Sequence, residues 1–248
     1  MISTSFKGNE QIFAYPPEWI PKIWRWQNYV DIWSQLPFLA YFRNSVFISL
    51  FTILGTLLSS SLVAYAFAVL RWPGRDKLFI FILVTMMLPL QVTMIPVFVM
   101  FKNLGWLNTF KPLIVPAFLG GGAFNIFLLR QFFLRVPREL IDAARIDGCS
   151  EWRIYWEIML PMAKPALATV AIMTFMFTWN DFLGPLIYLS DKLKGTLALG
   201  VVMFVGQHST EWGQLMAISI IMMLPVIIIF FLFQRFFIKG FIMTGIKG

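Results

Sequence analysis

PRELIDAARIDGCSEWRIYWEIMLP, residues 137–161, is the densest run of charge in a chain that is otherwise apolar almost throughout. Its own pattern is helical. Pro137 suits the first turn of a helix, where a missing N–H costs nothing. Glu139 and Asp142 place negative charge near the positive end of the helix dipole. Leu140, Ala143 and Ala144 recur at i, i+3 and i+4 and so share one shallow face. Gly148 can take the left-handed conformation that ends a helix, and Ser150 fits the N-cap of a second one. That second helix is predicted to carry Trp152, Tyr155, Trp156 and Met159 as one continuous apolar stripe, closed by Pro161. The element is either an ordinary amphipathic connector or a small-faced plug for a groove on another protein.

What flanks it settles the fold class. Of 248 residues, 59% are hydrophobic and 13% charged, whereas a soluble domain is about a quarter charged. The chain therefore reads as an integral membrane protein. Crossing the hydrocarbon takes roughly 20 apolar residues, and the segments 45–70, 78–101, 113–134, 166–189 and 215–233 qualify. An all-α, polytopic helical bundle with five visible spans is expected. Gly120, Gly121 and Gly122 interrupt the third span, although glycine also lets membrane helices approach closely.

The formal net charge is +8. The basic residues lie mostly in short loops beside apolar runs, where they set topology, so no nucleic-acid role is assigned. Arg71, Arg75 and Lys77 share one side with Arg130, Arg135, Arg138, Arg145, Arg153 and Lys164, and with Arg235, Lys239 and Lys247. This side is expected to be cytoplasmic, together with the C-terminus and the 137–161 element. Residues 1–44 then form an extracytoplasmic segment. They hold Pro16, Pro17, Pro21 and several charges, and exporting them calls for an apolar segment upstream. A first span before Met1 is therefore expected, the alternative being an unusual translocated tail.

Cys149 is the single cysteine and His208 the single histidine. Neither an internal disulfide nor a metal site follows from them, and His208 reads as a solvated loop residue. No phosphate-binding G-x-x-x-x-G-K-[ST] loop is present, and LGGGAF (119–124) lies in an apolar span. No catalytic residue, metal or cofactor is assigned. Within the spans, TWNDF places Asn180 and Asp181 in apolar surroundings, where a carboxylate marks either function or a structural pairing. Pro89 and Pro96 are expected to kink the second span around Gln91 and Thr93. Those two side chains would line a polar path, or the stretch is Met-rich packing.

IDAARIDG (141–148), followed by Leu160 and Pro161, resembles the cytoplasmic EAA loop of permease subunits from ATP-binding-cassette importers, above all the carbohydrate-uptake, maltose-type group. The likeness continues in STSFK (3–7), NYVDIW (28–33), AYAFAVLRWPGR (64–75), TWNDFLGPLIYL (178–189) and TGIKG (244–248). Asp142 stands where the family usually has glutamate, and Cys149 where a small residue such as alanine is common. The family normally has six spans, and its counterpart of STSFK follows the first.

The resemblance implies a permease domain over 45–248 with a coupling loop over 135–165, in a bacterial-type inner membrane. It implies two ATP-binding subunits, a second, distinct permease chain, a solute-binding protein and contact with membrane lipid. On this reading Glu139, Asp142, Ala143, Ala144, Asp147 and Gly148 couple the chain to an ATPase subunit. Trp179, Asn180, Asp181 and Gln91 are candidates for the path of a sugar, since rings stack on pyranose faces and amides bond hydroxyls. The loop 204–214 either meets the binding protein or is solvated. Alternatives are an importer permease for glycerol phosphate, polyamine or peptide, or an ion-coupled secondary transporter, for which Asp181 is the one candidate and no inverted repeat is evident.

Overall fold

The apolar runs become helices of very unequal length. A computed structural model describes residues 1–35, 37–203 and 211–245, without the side chains of 34–35, 203 and 233–245. His208, most of the 204–214 loop and the end of TGIKG lie outside the described residues. Short helices α1 (Ile2–Ser5), α2 (Asn9–Ile12) and α3 (Gln27–Gln35) precede the long α4 (Phe38–Ala68). Then come α5 (Arg75–Thr85), α6 (Leu90–Asn103), α7 (Lys111–Ile114), a 3-10 turn (Val115–Phe118) and α8 (Ala123–Phe133). The charged element forms α9 (Arg138–Ile146), α10 (Glu151–Ile154), a π-helical turn (Tyr155–Met159) and α11 (Leu160–Met162). The chain continues as α12 (Lys164–Trp179), α13 (Leu183–Tyr188), a 3-10 turn (Lys192–Lys194), α14 (Leu197–Met203) and α15 (Trp212–Gly245).

Three stretches are long and apolar enough to cross a membrane by themselves: Phe38–Ala68, Lys111–Phe133 and Trp212–Leu232. The expected count of five is reached if each of two bent pairs is one span. The second span is not the continuous kinked helix that its prolines suggest. α5 and α6 are bent by 98°, with the break at Met86–Pro89. Pro89 is extended (φ −62°, ψ 138°), and the residue before a proline is steered out of the helical region. Pro96 lies within α6.

The chain divides into two compact units. Met1–Ile48, Leu107–Thr109 and Met176–Leu232 form the first, and Ser49–Trp106, Phe110–Phe175 and Phe233–Gly248 the second.

In the first unit the N-terminal segment folds onto the start of α15. The buried Asn28 amide donates to the Ser5 and Lys7 carbonyls at 2.8 and 3.0 Å. The Trp212 N–H donates to Asn9 Oδ1 at 3.1 Å, and a Cβ on Gly213 would lie 2.5 Å from the Lys7 carbonyl oxygen. Polar side chains also fasten the 188–197 stretch. Asn44 donates to the Leu193 and Gly195 carbonyls at 2.9 and 3.0 Å. Asn108 Oδ1 accepts the Ser190 and Asp191 N–H groups at 3.3 and 3.1 Å, while its own N–H donates to the Tyr188 carbonyl at 2.8 Å.

In the second unit the triple glycine explains how a broken third span is tolerated. Gly120, Gly121 and Gly122 all have positive φ (117°, 66° and 91°), a run that only glycine adopts without strain. A Cβ on Gly121 would sit 2.8 Å from the Thr56 carbonyl oxygen of α4, so the two backbones touch there. Carbonyls freed by the irregular 113–117 stretch need donors in a membrane. Thr52 donates to the Leu113 carbonyl at 3.2 Å, and the Ser59 hydroxyl lies 2.7 Å from the Ala117 carbonyl. The core of this unit gathers Tyr65, Phe67, Phe79, Leu129, Phe133, Ile154, Tyr155, Met159 and Val170. Ile141 and Ala144 of α9 belong to the same core.

Candidate coupling surface

α9 is held by its own turn chemistry. At its C-terminus the Cys149 N–H donates to the Ala144 carbonyl at 2.9 Å and the Gly148 N–H to the Arg145 carbonyl at 3.1 Å. This pair of bonds is the Schellman closure, and Gly148 supplies its left-handed residue at φ 79°. Ser150 then starts the next helix, its hydroxyl accepting the Arg153 N–H at 3.3 Å.

Charged side chains brace the same turn. The Arg145 guanidinium donates to Glu151 at 2.8 Å and to Asp142 at 3.3 Å. The Tyr65 hydroxyl, from α4, donates to the other Glu151 oxygen at 2.5 Å. Glu151 precedes the bent junction with α12 and lies outside that spanning helix. Arg145 beside it holds its carboxyl below the usual range, burial opposing and the Tyr65 hydrogen bond adding to the effect. Tyr65 packs edge-on to Tyr155, with centroids 5.4 Å apart, and the Tyr155 hydroxyl meets Ser61 at 2.8 Å. The element is thus tied to α4 by a continuous polar and aromatic chain.

The faces of α9 divide differently from the sequence pattern. Leu140, Ala143 and Ala144 do not act as one exposed surface. Ala144 is buried with Ile141 in the unit's core, whereas Glu139, Asp142, Ala143, Asp147 and Gly148 face out. Ile146, at 87% exposure, is the most prominent apolar group on the outward side. Sequence reasoning passed it over, although an isoleucine three positions after Ala143 and set between Arg145 and Asp147 is an anomalous surface residue. The predicted stripe on the second helix also splits. Tyr155 and Met159 are buried, while Trp152 is 60% and Trp156 49% exposed. A π-helical turn at Tyr155–Met159 interrupts the α-helical period of the predicted stripe from Tyr155 onward.

Three of the candidate path residues, Trp179, Asn180 and Asp181, lie in the first unit, each in different surroundings. Trp179 is 2% exposed, its indole N–H donating to the Met222 carbonyl at 3.0 Å and its ring set edge-on to Phe42. Asn180 and Asp181 do not lie within a continuous helix: α12 ends at Trp179 and α13 begins at Leu183. Asp181 accepts the Gly184 N–H at 3.0 Å, and so serves as a cap for α13. Asn180 is exposed and donates to the Met176 carbonyl at 2.8 Å. Gln91, in the first turn of α6, is exposed and belongs to the other unit.

A multi-span helical protein with a braced, outward-facing helix–turn–helix between two apolar stretches belongs to the class of membrane transport components. Residues 60–242 match the family described as the binding-protein-dependent transport system inner membrane component, and the chain belongs to that family. It is a permease subunit. It is 38% identical over 222 residues to the arabinooligosaccharides transport system permease protein AraQ of Halalkalibacterium halodurans, covering 89% of this chain and 79% of that protein. It is 35% identical over 242 residues to the sn-glycerol-3-phosphate transport system permease protein UgpE of Yersinia pestis, covering 94% and 85%. Its fold matches, with a TM-score of 0.84 and 24% identity over 95% of this chain and 88% of the other, a chain of a bacterial ABC transporter involved in the import of the acidic polysaccharide alginate.

Proposed function

We propose that this subunit forms half of the transmembrane pathway of an importer for a sugar, and that α9 is the helix through which ATP-hydrolysing partners move it. The observation that carries the coupling role is the two-sidedness of α9. Ile141 and Ala144 root it in the core, Arg145, Glu151 and Tyr65 lock its turn, and Glu139, Asp142, Ala143, Ile146 and Asp147 remain free to meet a partner. A helix fixed on one face and open on the other transmits displacement rather than absorbing it.

In this reading the 137–161 element and the C-terminus lie in the cytoplasm, as the distribution of arginine and lysine directs. Two ATP-binding subunits sit beneath, a second permease chain stands beside, and a solute-binding protein delivers the sugar from outside. Closure of the ATPase pair pulls on α9, and the Tyr65 and Tyr155 contacts carry the motion into α4. Relatives named for arabinooligosaccharides and for sn-glycerol 3-phosphate support a polyhydroxylated solute. Asn180, with its exposed amide, is the residue proposed to meet its hydroxyls.

The test is uptake by cells with and without this chain, all partner subunits present, using radiolabelled oligosaccharides and radiolabelled glycerol 3-phosphate. Chain-dependent uptake of an oligosaccharide is the expected result. Uptake of glycerol 3-phosphate alone would replace the sugar with a phosphorylated polyol, and uptake persisting without ATP would remove the coupling role.

A further inference from the structure

In the second unit, two adjoining recesses of about 40 and 470 Å³ open where α4 ends and α5 begins, and only the second has room for a headgroup. Arg71, Arg75 and Arg138 line both, Arg145 completes the first and Lys77 the second, and the carboxylates present are Asp142 and Asp76. Those carboxylates pair with arginines of the recesses themselves and with Arg130, which leaves the other cations uncompensated. Asp76 meets Arg75 at 3.1 Å and Arg130 at 3.4 Å, and Asp142 meets Arg145 at 3.3 Å. Arg71, Lys77 and Arg138 have no carboxylate partner among the described residues.

The setting says what kind of anion fits. The recess lies at the ends of two membrane-directed helices beside Trp72, which also lines it. Immediately beyond Lys77, the exposed Leu78, Ile80, Phe81 and Val84 continue along α5. Cationic recess followed by exposed apolar helix is the complement of a molecule with a phosphate head and hydrocarbon tails. Guanidinium groups present a planar fork suited to phosphate oxygens, and basic pockets at the ends of membrane helices bind anionic headgroups.

We propose that this recess binds the phosphodiester headgroup of an anionic phospholipid, with the acyl chains along α5. Because Arg138 of α9 lines the larger recess, a headgroup seated there touches the helix assigned above to coupling, while Arg71 and Lys77 stand apart from it. The lipid site is independent of that assignment.

The test uses the assembled importer, purified in detergent, stripped of lipid and re-exposed to phosphatidylglycerol or phosphatidylcholine, with retained lipid counted by native mass spectrometry. Wild type is expected to retain phosphatidylglycerol preferentially. Arg71→Gln with Lys77→Gln should reduce that retention about thirtyfold, at roughly 1 kcal/mol for each of the two basic side chains. Arg71→Lys should keep most of it, as should Arg153→Gln, which alters an exposed pair with Glu157. Correct assembly of each variant is checked by size-exclusion chromatography and subunit stoichiometry. Equal retention by the double variant overturns the proposal. So does displacement of the lipid by millimolar inorganic phosphate, which would mark a soluble-phosphate site. So does loss of an ATP-binding subunit with lipid retention unchanged, which would mark an acidic protein face.

Discussion

Arg145 and Glu151 meet at 2.8 Å across the glycine turn that separates α9 from α10. Tyr65 of α4 binds the same carboxylate from the other side. One carboxylate thus joins the protruding helix to a membrane helix, and its removal should separate motion of the loop from motion of the span. Glu151→Gln keeps the shape but weakens the charged bond, at a cost of about 0.5–1 kcal/mol for a partly exposed pair. The expected outcome in the reconstituted importer is ATP hydrolysis near the normal rate with less solute moved per ATP. Tyr65→Phe should act in the same direction, and unchanged stoichiometry in both variants would contradict the role.

The same bond has a pH signature. Arg145 lowers the Glu151 carboxyl below its ordinary range, so its stabilisation is fully present above the ordinary value near pH 4.3. It is lost as pH falls through the lowered folded value. The melting temperature of wild type minus that of Glu151→Gln should therefore be constant above about pH 5 and shrink below about pH 4. A difference that grew on acidification would have the wrong sign.

Gly148 isolates backbone strain from packing, because a Cβ there meets nothing within 4 Å. Gly148→Ala should cost about 1 kcal/mol, Gly148→Val more, and Gly148→Asn least, since asparagine tolerates the left-handed region. Gly148→Pro removes the N–H bonded to Arg145 at 3.1 Å and should abolish uptake. Thermal stability and transport measured on this series should fall in that order.

Gly121 is the opposite case. Positive φ and a Cβ 2.8 Å from the Thr56 carbonyl oxygen combine strain with a backbone clash that no rotamer change relieves. Gly121→Ala should destabilise by at least about 2 kcal/mol, more than Gly148→Ala, as read by fluorescence-detected thermal unfolding in detergent.

These residues also show where sequence reading reaches its limit. The Gly148 turn and the Ser150 cap follow from local rules and are found where their residues predict, whereas of the five apolar runs only three coincide with a stretch long and apolar enough to span by itself. Ala144 facing inward was not legible, because the small face of α9 is decided by the core it joins, which includes Tyr65, Phe67 and Phe79, far away in sequence. The π-helical turn broke the assumed α-helical period from Tyr155 onward. Asp181 looked like a buried charge within a span although Gly184 and Pro185 announce the break, since a proline ring clashes with the carbonyl four residues back. Asn44 and Asn108 were missed for another reason: their partners lie some 80 to 150 residues away, and an isolated asparagine carries no local signal.

The account rests on α9 touching an ATP-hydrolysing subunit, and Ile146 offers the most direct probe. With Cys149→Ser as background, a thiol-reactive photo-crosslinker on Ile146→Cys in the assembled importer is expected to join this chain to the ATP-binding subunit, with a yield that changes between nucleotide-free and ATP-bound complexes. Labelling of Ile146→Cys by a membrane-impermeant thiol reagent added outside intact cells, with no cross-link formed, would contradict it.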